Sequence, residues 1–297
     1  MNAKIIFITS LERSGSTLLD LTLGRHSNLV SFGEVSRVLQ PHGGGIETTF
    51  DRPCSCGKNV NECKFWSSVT HDISKNENMP LSKRYEIFLS KFNDIYGDNK
   101  IPVDSTKYLK ALPELRGVKD LDIKVVNIIR DVRGWMHSSK LAAKRKQEMP
   151  YSKIFDSEIR IMWKAYLRFN VLRKLPFLLP LEWYIRNKTI INYLNQNNHE
   201  SLLLSYEKFA FDTEGALSSL FDFVGVENET SIIKNQSEHH IVRGNRMAFN
   251  EDTNNKITYD KKWMVSAKLP YSLFLYPFIM KINSRWVYQN KIQKRYR

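Results

Sequence analysis

Along this chain, continuous apolar and β-branched runs alternate with stretches in which apolar residues recur every three or four positions. Ile5 to Thr9 and Lys124 to Ile129 (KVVNII) have the first pattern, which predicts strands buried on both faces. Shorter runs at 101–104 and 201–205 predict two more. Helical spacing covers 16–26, about 81–96, 131–146, about 156–174, about 182–196 and 212–224, with another helix between 104 and 124. Strands and helices therefore alternate, which implies an α/β fold: a parallel, P-loop-like sheet with helices on both faces. Residues 40–80 interrupt the alternation, rich in Gly, Pro, Asn, Ser and Cys around Gly43-Gly44-Gly45, and read as a long irregular excursion. The segment Leu175 to Tyr184 holds Pro176 and Pro180 among aromatics, either a helix break near a cleft or part of the core. One domain over 1–264, with the Cys-containing insertion at 40–80, and a basic aromatic segment at 265–297 is the expected division.

Composition narrows the class. A chain of 297 residues with 42% hydrophobic residues can bury one large core. No apolar run approaches the ~20 residues of a membrane span. The start, MNAKIIFITS, reads as a strand, without the charged region and cleavage site of a signal peptide, so a cytoplasmic protein without an anchor is expected. Of the net charge of +14, +9 lies in 256–297, where ten Lys and Arg face the single acid Asp260. That tail also carries Leu269 to Met280 between Lys268 and Lys281, then Arg285 and Trp286. Two readings stand: an interfacial segment giving peripheral contact with anionic lipid, or a helix packed on the core with a solvated basic face. The chain has no RNP, zinc-finger or helix-turn-helix signature, so nucleic acid is not an expected partner.

Two constellations carry chemistry. The first strand breaks on Arg13-Ser14-Gly15-Ser16-Thr17 and leads into a helix, so loop amides and the positive helix end would face an anion over Gly15. The GxxxxGK[ST] pattern is missing: Thr9 takes its first Gly position, and Arg13 is the loop's one cation. Phosphoryl transfer from a triphosphate recruits a metal to neutralise its charge. A sulfuryl group carries one charge fewer, and an Arg with backbone amides suffices without one. The second constellation is Arg130 at the end of strand 124–129, with Ser138 eight residues on, about two turns into the next helix. A guanidinium fork and a hydroxyl suit a second phosphate. Both constellations fall at carboxyl ends of strands, on the rim where open α/β sheets bind ligands.

Ser10 to Leu19 followed by IIRDVRGWMHSS resembles the sulfotransferase superfamily, whose donor is 3′-phosphoadenosine 5′-phosphosulfate (PAPS). Phe32-Gly33-Glu34, Val103-Asp104-Ser105-Thr106-Lys107, Leu204-Ser205-Tyr206-Glu207 and Gly244-Asn245 extend the likeness in order and spacing. The resemblance implies that Arg13, Ser14, Gly15, Ser16 and Thr17 hold the 5′-phosphosulfate and that Arg130 and Ser138 hold the 3′-phosphate. Tyr206 would lie near the nucleotide, Ser105 would contact the donor, and Lys107 is a further candidate for charge on the leaving phosphate. An Arg in the first loop is closer to bacterial and tyrosylprotein sulfotransferases than to cytosolic phenol and steroid enzymes. No His matches the cytosolic catalytic base, whereas Glu34 matches the Glu that serves as base in the tyrosylprotein branch. An ordinary helix-capping Glu is the competing reading there. Near the C-terminus the bacterial Gly-Asn-x-Met-Arg is replaced by Gly244-Asn245-Arg246-Met247-Ala248, which removes the expected Arg.

The reaction implied is sulfuryl transfer from PAPS to a hydroxyl, with no metal required and a saccharide or lipid-linked acceptor favoured. A P-loop-type phosphotransferase and a basic nucleic-acid binder are the alternatives. Cys54, Cys56 and Cys63, the chain's three cysteines, read as free thiols in a reducing compartment. One disulfide, or a metal site completed by His42 or His71, are the other readings. His239 and His240 read as loop residues.

Overall fold

The computed structural model describes residues 3–41, 45–147, 176–229, 238–244, 246–249, 257–265, 276–289 and 294–295. Ala3–Ser10 forms β1, followed by α1 (Ser16–Leu23), β2 (Leu29–Ser31) and α2 (Val35–Leu39). Then come α3 (Trp66–Ser74), α4 (Leu81–Tyr96), β3 (Ile101–Lys107), α5 (Ala111–Arg116), β4 (Leu121–Ile129) and α6 (Val132–Gln147). After 176, α7 (Leu179–Gln196) precedes β5 (Ser201–Ser205), and helices Tyr206–Phe211 and Thr213–Val224 follow. The predicted helix at 156–174 lies outside the described residues.

The sheet order is β2-β3-β1-β4-β5-β6, with parallel pairing from β2 to β5. The last strand, β6 (Lys294–Arg295), pairs antiparallel with β5 at the edge. Alternate residues of β1 enter two cores, as the period of a strand requires. Ile5 and Phe7 pack with Val125, Ile129 and residues of α3, α4 and α7. Ile6 and Ile8 pack with Val126 and Ile128 against Leu19, Leu23 and the helix Thr213–Val224.

Register decides where the site sits. Ser10 pairs with Ile128, so β1 and β4 end almost level and their following loops leave side by side. On the other flank Thr9 pairs with Lys107 after an irregularity in register, and its hydroxyl donates to the Lys107 carbonyl at 2.8 Å. The loop after β1 therefore lies between the last residue of β3 and the first after β4.

The expected irregular excursion at 40–80 carries the helix α3 and buried aromatics in its second half. Cys63, Phe65 and Trp66 are fully buried, and Phe65 packs on Phe32 with ring centroids 4.4 Å apart. Apolar residues there reach the core from a loop, so their spacing lacks a helix or strand period until α3 begins. Leu175 to Tyr184 resolves toward the core as well, from Leu179 onward: α7 begins with Pro180 in its first turn, and Trp183 is fully buried.

The C-terminal segment packs on the same core where it is described. Helix Pro277–Asn283 buries Ile279, and the π-turn Ser284–Tyr288 buries Val287. The Asn283 side chain accepts from Val132 N at 2.9 Å and donates to Asp131 at 2.9 Å, tying the tail to the start of α6. Trp286 stacks on Tyr184. Among the described residues no helix is long and apolar enough to cross a membrane.

Trp183 Nε1 donates to the Arg130 carbonyl at 2.9 Å. A Trp183→Phe variant, which keeps most apolar volume but leaves that buried carbonyl unpaired, should lose about 1–3 kcal/mol in urea unfolding. An unchanged midpoint would show that the bond contributes nothing.

Candidate active site

The turn after β1 is built by its backbone. Ser14 N donates to Leu11 O at 3.3 Å, Arg13 takes φ 71° and Gly15 takes φ 96°. Gly15 is needed for two reasons: its φ disfavours L side chains, and a Cβ there would lie 2.6 Å from the Tyr206 ring. Arg13 is exposed, with Ser14 and Ser16 buried beneath it. No side chain caps α1, so its first amides remain available. The buried Ser10 and Ser14 hydroxyls and the Arg130 Nε have no hydrogen-bond partner among the described residues. Buried polar groups are normally satisfied, so three orphans at the neighbouring ends of β1 and β4 are what a bound anion would complete.

Arg130 leaves β4 toward this turn. Its Nη1 donates to the Arg13 carbonyl at 3.2 Å, and its Nη2 pairs with Asp260 at 3.0 Å. The guanidinium carbon lies 4.6 Å from the centroid of the Tyr206 ring. Tyr206, first residue of the helix after β5, thus sits between Gly15 and Arg130. Its hydroxyl accepts from Asp260 N at 3.0 Å and donates to Thr258 O at 3.3 Å. A Cβ on Gly134 would meet Arg130 Nε at 3.0 Å, so the Arg crosses the first turn of α6 closely. Ser138 is four residues further, on the same side of that helix, and half-buried. Arg133 turns elsewhere, to a fork on Asp131 with Nη2 at 2.7 Å.

On the β3 side, Lys107 ends its strand with φ 72° and brings Nζ onto Glu34 Oε1 in a buried ion pair. Arg37 Nη1 holds the other Glu34 oxygen at 2.6 Å. Burial pushes the Glu34 carboxyl up, but the charges of Lys107 and Arg37 outweigh it and hold it below the ordinary carboxylate range. Glu34 occupies the N-cap position of α2 without making a side-chain cap bond. Its backbone is fixed from several sides. Glu34 N donates to Arg243 O at 3.0 Å, Ser105 N to Gly33 O at 2.7 Å and Val35 N to Asp104 at 3.2 Å. Gly33, at φ 70°, lies so close to Arg243 O that a Cβ would come within 2.5 Å.

Arg13 to Thr17, Arg130, Tyr206, Lys107 and Glu34 thus surround the carboxyl ends of β1, β3 and β4. Ser105 is not brought to them. Its hydroxyl is buried and donates to Asp20 at 2.8 Å, because its strand position points it under α1. Asn245 lies outside the described residues.

The sequence profile of the Sulfotransferase family matches residues 6–230. The chain belongs to that family and is a sulfotransferase. Two solved structures share its fold. The sulfotransferase domain from the curacin biosynthetic pathway is 19% identical, with a TM-score of 0.51 over 99% of this chain and 93% of that one. The sulfotransferase domain of the Synechococcus PCC 7002 olefin synthase is 17% identical, with a TM-score of 0.50 over 98% and 96%. No curated protein sequence matches the chain.

In this sulfotransferase, sequence reasoning passed over the buried acids that shape the site. Asp104 accepts from Tyr85 at 2.7 Å and from Thr106 N and Val35 N, so it fastens the Glu34 loop to β3. Burial raises its carboxyl to about 6. Asp20 accepts from Ser31 at 2.6 Å and Ser105, joining α1 to β2 and β3. Burial, the largest influence, raises it to about 7. An acid inside an apolar run was the available signal for both.

Because the folded state holds the Asp20 proton more tightly than the unfolded chain, its contribution to stability is present at low pH and lost as pH rises from about 4 to about 7. Relative to Asp20→Asn, the wild type should lose stability between pH 5 and pH 8 in urea melts. A constant difference between the two would contradict a raised Asp20.

Proposed function

We propose that the enzyme transfers a sulfuryl group from PAPS to an acceptor hydroxyl, with the β1 turn and Arg130 gripping the two ends of one nucleotide. The observation that carries this reading is the reach of Arg130 onto the Arg13 carbonyl, with Tyr206 packed between Arg130 and Gly15. The residues present suit the donor. The orphaned Ser10 and Ser14 hydroxyls and Arg130 Nε are donors without acceptors, and the start of α1 adds free amides.

Arg130 and Ser138 hold the 3′-phosphate and so separate PAPS from nucleotides that lack it. That phosphate competes with Asp260, now paired with Nη2. Arg13, Ser14, Gly15, Ser16 and Thr17 hold the 5′-phosphosulfate. Glu34 accepts the proton of the acceptor hydroxyl as that oxygen bonds to sulfur and the bond from sulfur to the 5′-phosphate oxygen breaks. Negative charge collecting on the departing phosphate falls to Lys107, Arg13 and the α1 amides. Lys107 has a second consequence. While its ammonium pairs with Glu34 the carboxylate is a weak base, and moving toward the donor frees Glu34 to take a proton. Tyr206 packs near the nucleotide, and Ser105, bound to Asp20, is left out of the donor set.

The acceptor follows the sequence reading, a saccharide or lipid-linked alcohol. A peripheral membrane contact would rest on the basic C-terminal segment.

Binding of 3′,5′-adenosine bisphosphate by calorimetry tests the donor assignment. Arg130→Ala should weaken it about 10–100-fold, the value of charge-assisted bonds worth about 1.5–3 kcal/mol, and should leave binding of adenosine 5′-phosphate unchanged. Equal effects on both nucleotides would contradict a 3′-phosphate at Arg130. Glu34→Gln should keep bisphosphate affinity and lower kcat by about 100-fold or more. Unimpaired turnover would remove Glu34 as the base.

A further inference from the structure

The Cys-containing insertion, whose spacing allows free thiols, one disulfide or a metal site, closes on a histidine from a distant part of the chain. Sγ of Cys63 lies 3.7 Å from Sγ of Cys54, 3.6 Å from Sγ of Cys56 and 3.2 Å from Nδ1 of His240. Cys54 Sγ is 3.9 Å from the same nitrogen, and all four donor atoms lie within 4.8 Å of one another. A tetrahedron with zinc–sulfur bonds of about 2.3 Å and a zinc–nitrogen bond of about 2.0–2.1 Å has edges of about 3.8 Å and 3.6 Å. Four donors from three separate stretches of chain already approach those edges. His71 is exposed on α3, away from the fully buried Cys63, and His42 lies outside the described residues; among the described residues the imidazole beside the thiols is that of His240.

We propose that Cys54, Cys56, Cys63 and His240 bind one structural zinc ion. Three soft sulfurs and an imidazole are a closed zinc set, with no position left for substrate. The surrounding chain is shaped to present it. Pro53 and Asn59 pair across a tight turn, Cys54 N donates to Lys58 O at 2.7 Å, and Gly57 takes φ 86°, which returns the chain past Cys56. Ser55, between the first two cysteines, clamps the histidine strand: its N donates to Ile241 O at 2.8 Å and its Oγ accepts from Ile241 N at 2.7 Å. Trp66 Nε1 donates to the His240 carbonyl at 2.5 Å, and Phe32 stacks against the imidazole at 6.0 Å. Such support fixes the ring that ligates, as neighbours of metal ligands do. The three thiols are free, and Cys63 lies about equally far from Cys54 and Cys56, which is not the arrangement of one disulfide with a spectator.

The site also has a place in the architecture. His240 N donates to Ser31 O at the end of β2, and Arg243 O, three residues on, receives Glu34 N. Zinc would staple the insertion to the segment that seats Glu34, making it a positioning element for the proposed base. That consequence rests on the function proposed above; the metal site does not.

Full-length protein purified without a histidine tag from zinc-supplemented medium should hold about one equivalent of zinc by plasma mass spectrometry. Mercurial titration should release that zinc as three thiols react. Cobalt(II) in its place should give thiolate charge-transfer and tetrahedral d–d bands, a readout on the wild-type chain that does not depend on any variant folding. Cys63→Ser and His240→Ala should reduce zinc to traces. Trace zinc in the wild type, a stoichiometric different metal, or a mass two protons lighter from a native disulfide would each overturn the proposal. Chelated protein should lose kcat while 3′,5′-adenosine bisphosphate affinity holds. Zinc bound at one equivalent with kcat unaffected by its removal would keep the metal site and discard its link to Glu34.

Discussion

The site depends on two parallel strands that end at the same height. Pairing of Ser10 with Ile128 fixes the relative position of β1 and β4, and from it follows that Arg130 emerges beside the turn carrying Arg13 to Gly15. A parallel ladder is rigid and buried on both faces, so this placement is inherited from the fold rather than negotiated by mobile loops. The guanidinium then makes the contact that register permits, bridging to the Arg13 carbonyl over the Tyr206 ring. Trp183 holds the backbone of Arg130 from below, and Gly134 leaves room for its side chain.

The second half of the site depends on buried charge. Glu34 and Lys107 are both nearly inaccessible, and either alone would be costly in that environment. Paired, and with Arg37 on the other carboxylate oxygen, they are tolerated, and their pairing ties the Glu34 loop to the end of β3. Asp104 and Asp20 extend the same logic inward. Each sits fully buried with several hydrogen bonds and a raised pKa, tying the Glu34 loop, α1 and β2 to β3.

Much of this was legible in the sequence, for identifiable reasons. Strands 5–9, 124–129 and 201–205 were clear because central parallel strands are continuous apolar runs, and α4 was found at Leu81–Tyr96 because its apolar face keeps a helical period. The family's first loop and the Arg after β4 were legible as a strand-turn-helix and as a charge at the end of an apolar run. Four features were not. The three-residue strand β2 and the five-residue α2 are too short to show a period. Ser105 alternates inward to Asp20, which a motif match does not reveal. The partnership of His240 with Cys54, Cys56 and Cys63 joins positions more than 170 residues apart, which no local spacing encodes.

The C-terminal segment shows a similar limit. Its basic and aromatic composition suited a lipid surface or a packed helix equally, and composition carries no contacts. Ile279, Val287 and Asn283 are buried, and Asn283 bonds to the first turn of α6.

A crystal structure with 3′,5′-adenosine bisphosphate tests the central claim most directly. One nucleotide should span the site, its 5′-phosphate over the amides of residues 13–17 and its 3′-phosphate on Arg130 and Ser138 in place of Asp260. A nucleotide bound with Arg130 still paired to Asp260 and its 3′-phosphate elsewhere would contradict it.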